Sequence, residues 1–234
     1  MSVNLSFKFL DRGRKEVLAL LPGWATDYKI FQGLEMDFNY LLTLETSPEN
    51  FEKRLLRIID EQRIEKVSLF GWSLGGFLAY EFALRYPQRV SKVILVSVRR
   101  GYSREEIERI KENLLTEKER SLYRFYFNCF FDKRAFYLNH SLFKRYSEQM
   151  DLSLLLKGLD YLSRVQMEVE RLRKVRNLTI IHGEQDRIAP VKEVREMKSS
   201  LPSAELIIIK KAGHIPFLEG EAEASRDKLL WKGR

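Results

Sequence analysis

Short apolar runs separated by amphipathic stretches set the rhythm of this chain. Val17–Leu21 is wholly apolar and is stopped by Pro22-Gly23, the pattern of a strand buried on both faces. Runs of the same kind recur at Tyr40–Leu44, Val67–Trp72, Val93–Val96, Leu178–Ile181 and Leu206–Ile209. Between them lie helical patterns. Residues 51–62 put Leu55, Ile58 and Ile59 on one face, behind Ser47-Pro48-Glu49 as a start signal. Leu74–Tyr86 reads as a helix that must close before Pro87. Buried strands alternating with helices predict an α/β fold with a mostly parallel central sheet flanked by helices. The rhythm breaks between about Arg99 and Arg176, where the pattern is helical, charged and aromatic with no strand. That stretch is longer than a loop and is expected to be a helical lid inserted between two strands. The expected organisation is therefore a core in two parts, residues 1–98 and 177–234, around a lid at residues 99–176.

Composition narrows the class. With 234 residues, 44% hydrophobic and 32% charged, the chain can bury a sizeable core and is not a disordered polymer. Its start lacks the charged-then-apolar order of a signal peptide, and its longest uncharged run, Val67–Tyr80, is too short to span a bilayer. The single cysteine, Cys129, forms no internal disulfide and is expected to be a small buried apolar residue. A cytoplasmic protein without membrane partners is the expectation. No Cys/His spacing suggests a metal and no G-x-G-x-x-G follows a strand, so no cofactor is expected. The formal charge of +8 asks for an acidic partner. No nucleic-acid module is present and basic residues elsewhere are interleaved with acids, so nucleic acid is not the expected partner.

The chemistry begins at Gly71-Trp72-Ser73-Leu74-Gly75-Gly76, which follows an apolar strand and opens a helix. Gly-x-Ser-x-Gly in that position is the sharp turn that lifts a serine hydroxyl to the carboxyl edge of a sheet. Side chains in place of the glycines would collide across the turn. The plainer reading is a glycine-containing strand-to-helix turn without chemistry. Serine needs a general base, and the chain has three histidines. His214, in Gly213-His214-Ile215-Pro216-Phe217, follows the last strand and falls on the same edge as Ser73 if the strands are parallel. His182 ends a strand and reads as a structural turn residue; His140 lies in the insertion and reads as exposed. Asp186, after the strand 178–181, completes the order Ser, Asp, His and would fix the tautomer of His214. Its plainer reading is a helix N-cap before Pro190, and Glu184 is its rival. Backbone N–H groups of Leu74 and of Trp24, in the loop after the first core strand, would form an oxyanion hole; Pro22-Gly23 alone would be an ordinary turn.

Taken together, Pro22-Gly23-Trp24, the Gly71–Gly76 elbow, His182-Gly183-x-x-Asp186-x-x-x-Pro190 and Gly213-His214-x-Pro216-Phe217 resemble the α/β-hydrolase superfamily. Within it they resemble the pimeloyl-[acyl-carrier protein] methyl ester esterases of biotin synthesis. The resemblance implies a Ser73–Asp186–His214 triad, oxyanion donors at Trp24 and Leu74, and a small acyl ester substrate borne on acyl-carrier protein. One departure is Leu21-Pro22, where many relatives carry His-Gly. The elbow does not separate an ester hydrolase from a thioesterase, a carbon–carbon bond hydrolase or a menaquinone-pathway lyase, nor from a binding module that kept the fold.

The lid carries a charge signal of its own. Between Glu119 and Tyr146 stand six cations (Arg120, Arg124, Lys133, Arg134, Lys144, Arg145) against two carboxylates. The resemblance implies carrier-protein docking by Arg120 and Arg124, which share a helical face. Tyr123, Phe127 and Phe130 share another, and Phe127 is expected to line an acyl tunnel. The plainer reading is a solvated basic face over an aromatic core stripe.

Overall fold

The computed structural model describes residues 6–219; the outermost parts of the first and third sequence segments, 1–5 and 220–234, lie outside the described residues. Seven strands form one sheet: β1 (Phe7–Leu10), β2 (Val17–Leu21), β3 (Asn39–Thr43), β4 (Val67–Trp72), β5 (Val90–Val96), β6 (Leu178–Gly183) and β7 (Glu205–Ile209), in the order β1-β3-β2-β4-β5-β6-β7. All pairings are parallel except β1 with β3. Every residue of β2, β4 and β6 is buried, which is why these strands read as unbroken apolar runs rather than alternations.

The sheet is flanked by α1 (Phe51–Glu61), α2 (Leu74–Arg85) and α9 (Val191–Ser199). Helix α1 buries Phe51, Leu55, Ile58 and Ile59, the face anticipated from spacing. Helix α2 is buried almost all round, so it shows no amphipathic stripe. Between β5 and β6 the chain is helical throughout: α3 (Arg104–Thr116), α4 (Lys118–Cys129), α5 (Lys133–Leu138), α6 (His140–Gln149), α7 (Leu152–Leu162) and the short α8 (Val169–Leu172). Ser103 opens α3 by accepting the Glu106 N–H, and Asp151 opens α7 by accepting that of Leu154. The aromatic stripe of this segment forms its own core, with Tyr126, Phe130, Phe136, Phe143 and Tyr146 buried against one another. His140 is not the exposed residue that its place in the insertion suggested. It is half-buried, with its ring against Tyr123 and Phe136.

One strand has no counterpart in the sequence, and one helix is foreshadowed there only as what Asp186 would cap. Strand β1 is only four residues long, too short for a period to show. Helix α9 is mostly exposed, with Val194 and Met197 as its buried positions. Among the described residues no helix is long and apolar enough to cross a membrane.

Parallel strands share one carboxyl edge. The segments that follow β2, β4, β6 and β7 therefore emerge side by side, and these carry Trp24, Ser73, Asp186 and His214.

Candidate active site

Ser73 stands between β4 and α2 in a left-handed backbone conformation, with φ 54° and ψ −116°. A non-glycine residue there costs on the order of 1–3 kcal/mol and persists only where the surroundings impose it. The surroundings here are glycines. A Cβ on Gly71 would overlap the backbone of Gly75, and one on Gly75 would overlap the carbonyl of Leu21 at the end of β2. Only the first of these collisions lies across the turn. The second shows that Gly75 is needed so that the elbow can lie against the neighbouring strand.

The serine hydroxyl lies 2.9 Å from Nε2 of His214, and Nδ1 of that ring lies 2.8 Å from Oδ2 of Asp186. Ser73, Asp186 and His214 are all buried. The other oxygen of Asp186, Oδ1, accepts the N–H groups of Ile188 and Ala189 at 2.8 and 2.9 Å. The carboxylate thus does two jobs with two oxygens: one shapes its own turn and the other orients the imidazole. It is not the cap of α9, whose N-cap position is Pro190. Its rival Glu184 instead faces Arg195 at 3.9 Å. Burial pushes the Asp186 pKa up, but His214, His182 and the Ala189 N–H outweigh it and hold the group below the usual carboxylate range. Such an arrangement can take the proton of the serine hydroxyl through the ring and stabilise the imidazolium that results.

The loop after β2 completes the edge. Among the described residues, the N–H groups of Trp24 and Leu74 have no hydrogen-bond partner. A Cβ on Gly23 would sit 3.2 Å from that of Ser73, so the loop lies against the elbow. Trp24 and Leu74 also line one small cavity with Leu155 and Gly158 of α7. Backbone N–H groups without protein partners, on two segments that meet at the elbow, are the kind of donor an oxyanion requires.

Residues 44–221, well over half of the chain, match the family described as serine aminopeptidase, S33 (Hydrolase_4). The chain belongs to this hydrolase family. Among its relatives is a pimeloyl-[acyl-carrier protein] methyl ester esterase of Vibrio parahaemolyticus, 25% identical over 93% of this chain and 94% of its own length. Among solved structures, an esterase from Exiguobacterium antarcticum superposes with a TM-score of 0.79 at 17% identity, covering 95% of this chain and 93% of its own. An α/β-hydrolase enzyme from a Medee basin deep-sea metagenome does so with a TM-score of 0.77 at 17% identity, over 95% and 91%. The fold of this hydrolase is the α/β-hydrolase fold.

In the hydrolase the inserted helices grip the site loops directly. Trp24 donates its indole N–H to the Leu155 carbonyl on α7 at 2.9 Å, and its ring meets Phe125 of α4 edge-on at 5.1 Å. The Tyr126 hydroxyl donates to the carbonyl of Ala25, and that of Tyr146 to Asp27 at 2.6 Å. The His214 N–H donates to the Cys129 carbonyl at the end of α4, at 2.7 Å. Cys129 itself is buried, and burial pushes its thiol pKa up.

Arg120, Arg124 and Phe127 lie on α4, within the inserted helices. No hydrogen bond, ion pair or ring contact joins Arg120, Arg124 or Phe127 to the relay among the described residues. Phe127 packs edge-on against Phe136 at 5.3 Å under the Lys133 ammonium; the α4 aromatic that reaches the site loop is Phe125. The basic excess is also smaller in space than in sequence. Arg120 pairs with Glu117 at 3.3 Å, Lys144 faces Glu148 at 3.8 Å and Arg145 faces Asp27 at 3.6 Å. Lys133 spends its ammonium on the carbonyls of Phe127 and Phe130. Arg124 and Arg134 are left exposed and without an acidic partner among the described residues.

Three site residues escaped the sequence reading. Trp72, seen only as part of the elbow, donates its indole N–H to the His214 carbonyl at 2.7 Å and so ties base to nucleophile strand. Tyr102, half-buried on the segment after β5, comes near Ser73, and burial pushes its phenol pKa up. Glu219 accepts the N–H groups of Gly213 at 2.6 Å and Asp132 at 2.7 Å, bridging the His214 loop to the corner between α4 and α5. Its only sequence signal is an acid five residues past the histidine. Among the described residues no group of three or more His, Cys, Asp or Glu is placed to hold a metal ion.

Glu219 should also make stability depend on pH. Burial lifts its pKa from 4.5 to about 7, against the pull of the backbone N–H groups that it accepts. Folding therefore favours its protonated form. The stabilisation is full below the unfolded value and is lost as pH rises through about 7, a swing of order 1–3 kcal/mol. Glu219→Gln should flatten the fall in Tm between about pH 5 and 8 relative to wild type. Calorimetry showing the same slope in both proteins would contradict this.

Proposed function

We propose that this hydrolase is a serine carboxylester hydrolase and that Ser73, His214 and Asp186 are its triad. The hydrogen-bonded relay from the Ser73 hydroxyl through His214 to Asp186 is the observation that carries the reading. Ser73 attacks the ester carbonyl while His214 takes its proton. The Trp24 and Leu74 N–H groups hold the oxyanion of the tetrahedral intermediate. His214 then protonates the departing alkoxide. A water molecule, deprotonated by the same ring, releases the acid and restores the serine.

The substrate we favour is the methyl ester of pimeloyl-[acyl-carrier protein], an ester of biotin synthesis. The activity named for the Vibrio relative, similar along nearly the whole chain, supports it. Helices α3–α8 would act as the lid, and their grip on the Trp24 and His214 loops would couple its position to the relay. With one cysteine and no internal disulfide, the chain suits a reducing compartment, and we place the reaction in the cytoplasm.

A substrate panel on the purified protein tests this reading. The carrier-bound methyl ester should release methanol and the free acid, and a short p-nitrophenyl ester should be cleaved more slowly. Turnover of acyl thioesters or aryl diketones in place of the methyl ester would move the chain to another reaction on the same scaffold. The charges make a sharper prediction. Arg124→Glu should lower kcat/KM for the carrier-bound ester several-fold and spare the free small ester. Arg120→Glu should do less, because Glu117 already offsets that charge. Raised salt should mimic the Arg124 change, since exposed charges are screened over about 8 Å at physiological ionic strength. Equal losses on both esters would reject the docking role.

A further inference from the structure

Two imidazoles meet the carboxylate of Asp186. His214 is one. The other is His182, whose Nε2 lies 3.4 Å from the same oxygen, Oδ2, that His214 engages. His182 sits at the end of β6 and is fully buried. Its Nε2 is also 2.7 Å from the carbonyl oxygen of Ala189. A carbonyl only accepts, so Nε2 bears the hydrogen. Its Nδ1 is buried with no partner among the described residues. A second proton on Nδ1 would be stranded without an acceptor. Burial accordingly holds the His182 pKa below the usual histidine range, against the opposing pull of Asp186. The charged and titratable groups facing the ring are Asp186, His214 and Glu193 of α9. What the ring offers Asp186 is a fixed N–H dipole without a charge.

That dipole has two consequences. The Asp186–Ala189 turn is closed from one side by Oδ1, which accepts the Ile188 and Ala189 N–H groups. His182 closes it from the other by holding the Ala189 carbonyl. The carboxylate rotamer is thereby fixed before His214 is added. With its N–H aimed at the Ala189 carbonyl, the ring also sets the positive end of its dipole 3.4 Å from Oδ2, the oxygen on which His214 leans.

We propose that His182 is a positioning residue of the relay: its neutral ring, bonded to the Ala189 carbonyl and 3.4 Å from Asp186 Oδ2, fixes the carboxylate and tempers the basicity that Asp186 confers on His214. This rests on the triad reading above. Removing the ring takes that positive end away from Oδ2, which favours the imidazolium form of His214. It also frees the Asp186 side chain to turn. A leucine there cannot donate, whereas the amide of a glutamine reaches roughly where Nε2 stands and can.

The chain has three histidines, so 15N-histidine NMR resolves each ring's tautomer and titration directly. In wild type, His182 should show the neutral Nε2–H tautomer throughout pH 5–8. In His182→Leu, the titration midpoint of His214 should move up by about half to one pH unit. The acid limb of kcat/KM should move with it, and kcat should fall of order tenfold with KM unchanged. His182→Gln should restore most of the wild-type profile, which a merely space-filling role would not require. An Nδ1–H tautomer or a titrating His182 in wild type would overturn the proposal without any variant. So would an unmoved His214 midpoint in folded His182→Leu. Failure of the triad reading would look different: esterase activity would survive Ser73→Ala, while the coupling between the two rings would still be read by NMR.

Discussion

Ser73→Ala is expected to lower ester turnover by roughly 10⁴-fold or more while leaving the protein folded. The hydroxyl is the atom that forms the covalent bond, so its loss removes a step rather than weakening an interaction. The free N–H groups of Trp24 and Leu74 and the binding surface remain, so KM should change little. Stability should move the other way in a companion variant. Ser73 holds a φ of 54°, which glycine adopts freely. Ser73→Gly should therefore be as inactive as the alanine variant, yet at least as stable as wild type in urea. Strain kept at this one residue for the sake of the hydroxyl is the physical content of the elbow. Substantial activity in Ser73→Ala, against a clean background, would remove Ser73 from the mechanism.

A large stability effect is expected at Gly75. A Cβ there would overlap the carbonyl carbon and oxygen of Leu21 and lie 2.7 Å from the Pro22 carbonyl oxygen. These are backbone atoms of the central strand β2 and of the loop that carries Trp24, so neither can swing aside as a flexible side chain would. Gly75→Ala should cost several kcal/mol, in the range reserved for forced overpacking of a core. Gly33 is the control. It has a φ of +88° and nothing within 4 Å of an added Cβ, so Gly33→Ala should cost only about 1 kcal/mol from backbone strain. Urea unfolding of both variants measures the difference. A Gly75→Ala midpoint as close to wild type as that of Gly33→Ala would show that the contact is not enforced.

Much of the site could be read along the chain because each part is a local pattern. The apolar run 67–72 followed by Gly-x-Ser-x-Gly fixes a strand, a turn and a helix within a few residues of one another. Asp186 and His214 followed from chain order, given parallel strands that deliver every loop to one edge. The rest depended on position in space. Strand β1 exists because β3 offers it an antiparallel edge. Phe125 rather than Phe127 meets Trp24 because of how α4 is rotated over the sheet, which the stripe of aromatics does not reveal. The basic excess between Glu119 and Tyr146 shrank because Glu117, Glu148 and Asp27 fold against it from outside the window. Glu219 meets backbone groups far from it in sequence, and the His182 ring meets the Ala189 carbonyl, contacts that the block His182-Gly183-x-x-Asp186 does not reveal.

Covalent labelling with a fluorophosphonate is the most direct test of the central claim, because only an activated serine reacts. Peptide mapping of the labelled protein should place a single adduct on Ser73, and His214→Ala should suppress it. An unlabelled protein, or an adduct at another serine with Ser73 unmodified, would contradict the account.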